Sequence, residues 1–256
     1  MDRESLGRLF DMSGRVVVVT GGTRGIGLAL AEGYVAAGAK VVVASRKAEA
    51  CAEAARHLRS LGGEALGIPT HLGVLEDLDA LVERTVATFG AVDVVVNNAA
   101  NALSQPLAEQ TPEAWAKSFD VNLRGPVFLV QKALPHLIDS PAAAVLNVVS
   151  VGAFIFSPHV SMYAAGKAAL MSFTRSMAAE FAPHGIRVNA LAPGSVDTDM
   201  ARANPPEFLA AMANASLQKR IAAPEEMIGP ALLLTSDAGS FITGQVIIAD
   251  GGMTPH

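Results

Sequence analysis

The sequence predicts an α/β fold in a single domain over residues 1–256: a doubly wound parallel sheet of about seven strands with helices on both faces. Three observations predict it. Short β-branched runs alternate with helical patterns along the chain, which is the signature of strands joined by crossover helices. Hydrophobic residues make up 51% of the chain and charged residues 17%, which suits a sheet covered on both faces. Finally, Val16 to Gly27 reads as strand, glycine turn and helix in immediate succession.

Val16 to Thr20 is the first buried strand, and an apolar helical pattern (Ile26, Leu30, Tyr34) follows the glycines and stops near Gly38. Ahead of it lies a short polar leader. Lys40 to Ala44 is the second strand. The helix Ala48 to Leu61 ends at Gly62-Gly63, a left-handed stop, and Ala65 to Ile68 is a short third strand. Leu75 to Phe89 carries Leu78, Leu81, Val82, Thr85, Val86 and Phe89 on one helical face, and Val92 to Asn97 is the fourth strand. Thr111-Pro112-Glu113 supplies an N-cap, a first-position proline and a first-turn acid, opening a helical region to about Ile138. Val145 to Val149, Arg187 to Leu191 and Gln245 to Ala249 are the remaining strands, with a long helix, Tyr163 to Phe181, after the fifth. Asp199 to Leu217 breaks this rhythm at Asn204-Pro205-Pro206 and holds Met200, Phe208, Leu209 and Met212 without a place in the sheet. Following a strand's C-terminal end, it reads as a substrate lid in preference to a surface loop with a short helix.

Composition excludes several classes. The net charge of −5 argues against nucleic acid, and no basic run suggests an anionic membrane partner. Ser140 to Gly166 lacks Asp, Glu, Lys and Arg, but Asn147, Gly152, Pro158 and His159 interrupt it and its period changes, so a membrane span is not expected. Cys51 stands alone, which rules out a disulfide framework and fits a cytoplasmic protein, and no secretory signal is evident. His57, His136, His159, His184 and His256 show no metal-ligand spacing, so no metal is expected.

The glycine turn, G-x-x-x-G-x-G, has the layout of a Rossmann-like phosphate cradle. Gly21 permits the tight turn, Gly25 lets the backbone approach a pyrophosphate and Gly27 lets helix and strand pack closely, with the anion at the helix N-terminus. Thr23, Arg24 and Ile26 fall within the same turn. At the end of the second strand, where an acid would select NAD through the ribose 2′-hydroxyl, stand Ser45 and Arg46. With no acid to repel a 2′-phosphate, and Arg24 and Arg46 able to reach it, NADP(H) is favoured and NAD(H) remains possible; the alternative is that both arginines are solvated surface charges.

Tyr163 and Lys167 lie four apart and share a helical face, where an adjacent ammonium is expected to stabilise a phenolate and bring Tyr163 toward a useful pKa. Ser150, 13 positions before Tyr163 at a strand's C-terminal end, can hydrogen-bond a substrate carbonyl. Thr20-Gly21-x-x-x-Gly25-x-Gly27, Asn97-Asn98-Ala99, Asn122, Ser150, Tyr163-x-x-x-Lys167 and Pro193-Gly194 with Thr198 follow one another in this order.

In these residues, and over nearly its whole length, the chain resembles the short-chain dehydrogenases/reductases. The resemblance implies that Tyr163 is the general acid in carbonyl reduction and the base in alcohol oxidation. Ser150 would orient the carbonyl, Lys167 would hold the nicotinamide ribose and lower the Tyr163 pKa, and Asn122 would anchor a water relaying protons from Lys167. Asn98, Ala99 and the segment Pro193, Gly194, Val196 and Thr198 would line the cofactor, and hydride would pass between nicotinamide and substrate carbon. A homotetramer is implied, with helices around Asn122 and Tyr163 packing across two-fold axes.

Two positions depart from that family's pattern. Ala100 stands where glycine is usual, so the backbone must accept a Cβ beside the cofactor. His71, followed by Leu72, stands where an Asp commonly faces adenine; it would stack on or bond to adenine, or be a solvated strand-end residue. Trp115, Phe154 and Phe156 are expected to pack, with Phe154 also placed to face substrate. The expected function is an NADP(H)-dependent oxidoreductase acting on a ketone or secondary alcohol. The alternatives are a 3-oxoacyl-thioester (acyl-carrier-protein) reductase and a non-catalytic nucleotide sensor on the same fold.

Overall fold

The computed structural model describes residues 2–156 and 158–254, and of Arg3 the backbone alone. His256 therefore lies outside the described residues. The strands are β1 (Val16–Thr20), β2 (Lys40–Ser45), β3 (Ala65–Pro69), β4 (Val94–Asn97), β5 (Ala144–Val148), β6 (Arg187–Pro193) and β7 (Val246–Ala249). All are parallel, in the order β3-β2-β1-β4-β5-β6-β7. The order reverses between β1 and β4, opening a crevice at their C-terminal ends where ligands bind in such sheets.

The helices are α1 (Arg3–Arg8), α2 (Gly25–Ala36), α3 (Ala48–Ser60), α4 (Leu75–Phe89), α5 (Pro112–Phe119), α6 (Gly125–Asp139), α7 (Ser161–Phe181), α8 (Asp199–Arg202), α9 (Pro206–Ala215) and α10 (Ile228–Thr235). Alternate strand residues face opposite layers. Val17 and Val19 of β1 enter one core with Leu30, Tyr34 and Leu58, while Val18 enters the other with Leu78, Leu81, Leu129 and Leu137. Gly38 and Gly62, each at φ 91°, end the α2 and α3 segments in the left-handed conformation that a side chain would disfavour.

Several expectations need correction. The polar leader contains α1, capped by the Asp2 carboxylate, which accepts from Ser5 N at 2.8 Å. The helical region to Ile138 is two helices joined by a π-helical turn, Asp120–Arg124. β4 starts at Val94, since Val92 and Asp93 lie before the ladder, and β5 is shifted one residue earlier than its apolar run suggests. Residues 199–217 form α8 and α9, separated by Asn204 and Pro205; α9 buries none of its residues. Trp115 is 52% exposed although it stacks on Phe119 at 4.5 Å, and Phe154 and Phe156 are 39% and 91% exposed. No helix among the described residues is long and apolar enough to cross a membrane.

Candidate active site and cofactor cleft

Four loops meet at the C-terminal edge of the sheet. The first is the glycine turn between β1 and α2. Gly21 and Gly25 take φ 65° and 53°. A Cβ at Gly21 would lie 2.9 Å from the Ala99 Cα, one at Gly27 would overlap the Gly21 carbonyl and the Asn98 amide, and one at Gly25 would meet the Thr198 methyl at 3.2 Å. The bare backbone of the turn thus faces the loops after β4 and β6. Arg24, the residue before α2, offers no side-chain cap, and the first turn holds no acid, so the α2 N-terminus is open to an anion. Thr23 is half-buried in this turn, and Ile26 packs against the core, leaving only its backbone for a ligand. These residues fit the diphosphate of a dinucleotide.

Thr20 locks the turn to β4. Its Oγ1 donates to Val96 O and accepts from Asn98 N at 3.0 Å and Ala99 N at 3.1 Å, while Asn98 Nδ2 donates to Thr20 O at 3.0 Å. Sequence reasoning placed Thr20 in the motif but gave it no role: a β-branched residue ending a strand reads as packing. Ala100 keeps a negative φ, because among the described residues His159 and Lys219 alone combine a side chain with positive φ. Its Cβ is therefore accommodated without backbone strain.

At the adenosine end, Ser45 closes β2 and its carbonyl accepts from Thr70 N at 2.8 Å. Arg46 is exposed and makes no ion pair among the described residues, whereas the Arg24 guanidinium, also exposed, lies 3.7 Å from Asp199 of α8. His71 is used locally: its Nδ1 accepts from Gly73 N at 3.1 Å, and its own N–H donates to Asp77. The imidazole thereby closes the turn leading to α4 as a carboxylate would. Leu72 is buried in the core, so only its backbone faces the cleft.

Ser150 leaves β5 as the cap of a 3-10 turn, Val151–Ala153, its Oγ accepting from Gly152 N at 3.1 Å. Tyr163 and Lys167 stand one turn apart on α7, with Lys167 Nζ 5.8 Å from the Tyr163 ring centroid. Burial pushes the Tyr163 phenol above its ordinary range, an effect that the nearby Ser150 hydroxyl partly offsets. The expected lowering of Tyr163 by its ammonium neighbour is not what the apo geometry gives. Lys167 is 1% exposed, its Nζ donates to Val148 O at 2.7 Å, and burial pulls its pKa down to about 8.

Asn122, fully buried in the π-helical turn, binds the Asn101 backbone through both ends of its amide and donates also to Ser118 Oγ at 3.2 Å. Asn101 and Ser118 were not singled out by sequence; partners so far apart along the chain leave no local pattern. On the β6 side, Gly194 N donates to Ala249 O at 3.0 Å and Val196 bridges Ala222 with its side chain in the core. Thr198 caps α8 and places its methyl over Gly25. The site thus gathers Ser150, Tyr163, Lys167 and Asn122, together with the cleft residues from Gly21 to Thr198. Among the described residues no group of three His, Cys, Asp or Glu could hold a metal ion.

A glycine turn at the switch point of a parallel sheet, with a serine, a tyrosine and a buried lysine near it, fits a nicotinamide-dependent oxidoreductase site. The family model described as enoyl-(acyl carrier protein) reductase matches residues 21–254. The chain is 37% identical over 251 residues to 3beta-hydroxysteroid dehydrogenase 1 of Eggerthella lenta, covering 95% of each chain. It is 38% identical over 241 residues to cis-4-hydroxycyclohexanecarboxylate dehydrogenase of Sinomonas cyclohexanicum, covering 94% of this chain and 96% of that one. A dehydrogenase/reductase structure from Sinorhizobium meliloti 1021 superposes with a TM-score of 0.94 at 30% identity, over 98% of this chain and 100% of that one. The chain belongs to the short-chain dehydrogenase/reductase family, oxidoreductases that use NAD(P)(H) and act on alcohol and ketone groups.

Proposed function

We propose that this enzyme is an NADP(H)-dependent oxidoreductase interconverting a ketone and a secondary alcohol, with Tyr163 as general acid in reduction and base in oxidation. The observation that carries the reading is the pair on α7, Tyr163 with Lys167 buried one turn further along and its Nζ 5.8 Å from the Tyr163 ring centroid, together with Ser150 at the end of β5. Nicotinamide, when bound, supplies or accepts the hydride. The chain does the rest. Ser150 orients the carbonyl oxygen; the phenol, protonated because burial raises its pKa, gives that oxygen its proton. Lys167 holds a positive charge beside the ring and would bind the ribose hydroxyls. Asn122 keeps the loop after β4 against the site through Asn101.

The absence of an acid at Ser45-Arg46 and the exposed Arg46, which has no ion pair among the described residues, support the NADP preference. Residues 199–217 serve as the lid of a single catalytic domain, and we place the enzyme in the cytoplasm as a homotetramer.

Titration of the purified protein with NADPH and NADH by fluorescence, followed by a ketone panel, tests this. NADPH is expected to bind at least tenfold tighter, worth about 1.4 kcal/mol, with turnover lost in Tyr163→Phe and cofactor binding retained. Tighter NADH binding would make Arg46 a surface charge, and binding without turnover of any ketone would favour the nucleotide-sensing alternative.

A further inference from the structure

We propose that the substrate is an uncharged ketone or secondary alcohol with a bulky hydrocarbon skeleton, recognised by Phe154 and by Phe208 of α9. This rests on the oxidoreductase reading above. β4, β5 and β6 are adjacent and parallel, so the loops that follow them leave the sheet at one edge, around Ser150 and Tyr163. The first two are tied together by Gln105 N donating to His159 O at 2.6 Å. The loop after β5 carries no acid, Lys or Arg, Ser140 to Gly166 being free of them, and the loop after β4 carries one acid, Glu109, and no Lys or Arg. Instead Phe154, Ile155 and Phe156 stand exposed directly beyond the turn that Ser150 caps.

The third loop adds apolar surface, and both of its arginines are ion-paired. α9 buries none of its ten residues and leaves Phe208 52% exposed, so its apolar side chains have no core to cover. Arg202 grips Asp197 through two bonds of 2.7 and 2.9 Å, Arg220 holds Glu226 at 2.6 and 2.7 Å, and Lys219 Nζ donates to Asn214 O. A carboxylate or phosphate on the substrate would find both guanidiniums already paired with carboxylates, and desolvating it here would be poorly compensated. Lys117 of α5 lines a cavity of about 410 Å³ with Glu113 of the same helix and with Leu103, Ser104 and Gln105 of the loop after β4, and the Glu113 carboxylate there opposes an anion.

The test compares 2-decalone with 4-oxocyclohexanecarboxylate in steady-state reduction with NADPH and NADH, and in saturation-transfer NMR binding to the apo protein. The expected kcat/KM is at least tenfold higher for 2-decalone. Phe154→Ala and Phe208→Ala are expected to raise its KM at least fivefold, and Lys117→Ala to leave both ketones unchanged. Preference for the carboxylate, or its loss in Lys117→Ala, would overturn the inference while leaving the oxidoreductase reading intact. Selective binding of 2-decalone without reduction of any ketone would sustain the apolar site and overturn the catalytic reading. Binding of neither, or equal binding of both, would overturn the inference.

Discussion

Asn122 holds the backbone of Asn101 by both polar groups: its Oδ1 accepts from Asn101 N at 3.1 Å and its Nδ2 donates to Asn101 O at 2.8 Å. The two residues are 21 positions apart, so this clamp joins the π-helical turn to the loop leaving β4. π turns inside helices are often found at functional sites, where the extra residue redirects a side chain. Here that side chain holds the loop after β4 beside the candidate site.

Replacing Asn122 by leucine keeps similar bulk but leaves the Asn101 N–H and C=O without partners. The expected cost is about 1–2 kcal/mol, since the Asn101 groups are half-buried and a fully buried group left unpaired costs about 1–3 kcal/mol. Urea unfolding reads this as a lower midpoint, and kcat is expected to fall with it. A parental midpoint in Asn122→Leu would mean that the clamp contributes no stability.

Lys167 titrates near pH 8 in the folded chain against an ordinary 10.5. Between these values the unfolded chain binds more protons, so this group makes stability rise with pH across that window. Below pH 8 both states are charged and the burial penalty stands in full. In Lys167→Met the penalty is absent. The stability difference between variant and parent is therefore expected to be flat below pH 8 and to move in the parent's favour by about 3 kcal/mol up to pH 10.5. A pH-independent difference would show that the ammonium is not destabilised by burial.

Activity should report the same ionisation. The pH dependence of kcat/KM reflects groups of the free enzyme. Reduction is expected to decline above about pH 8 as Lys167 loses its proton. Tyr163, raised by burial, adds no limb in that range because the phenol stays protonated there. A profile flat from pH 7 to 10 would separate Lys167 from the chemistry.

Two glycines separate packing from backbone conformation. In Gly27→Ala the methyl would overlap the Gly21 carbonyl and Asn98, so the variant is expected to lose about 1–3 kcal/mol and bind cofactor at least tenfold more weakly. Gly62→Ala meets no neighbour within 4 Å but must hold φ 91°, so it is expected to lose about 1 kcal/mol and keep cofactor affinity. Thermal denaturation and fluorescence titration distinguish them, and equal cofactor affinities in the two variants would contradict the assigned role of Gly27.

The sequence by itself determined the parallel sheet, the glycine turn and the places of Ser150, Tyr163 and Lys167, because strand and helix periodicity and short fixed spacings are local patterns. Tertiary structure alone decided how the side chains are used. Lys167 turns to Val148 O, His71 closes its own turn, Arg24 lies against Asp199, and Phe154 and Phe156 face outward. The reason is physical: burial and hydrogen-bond partners come from segments distant in the chain. They set a pKa, a tautomer or an exposure only after the loops have met at the edge of the sheet.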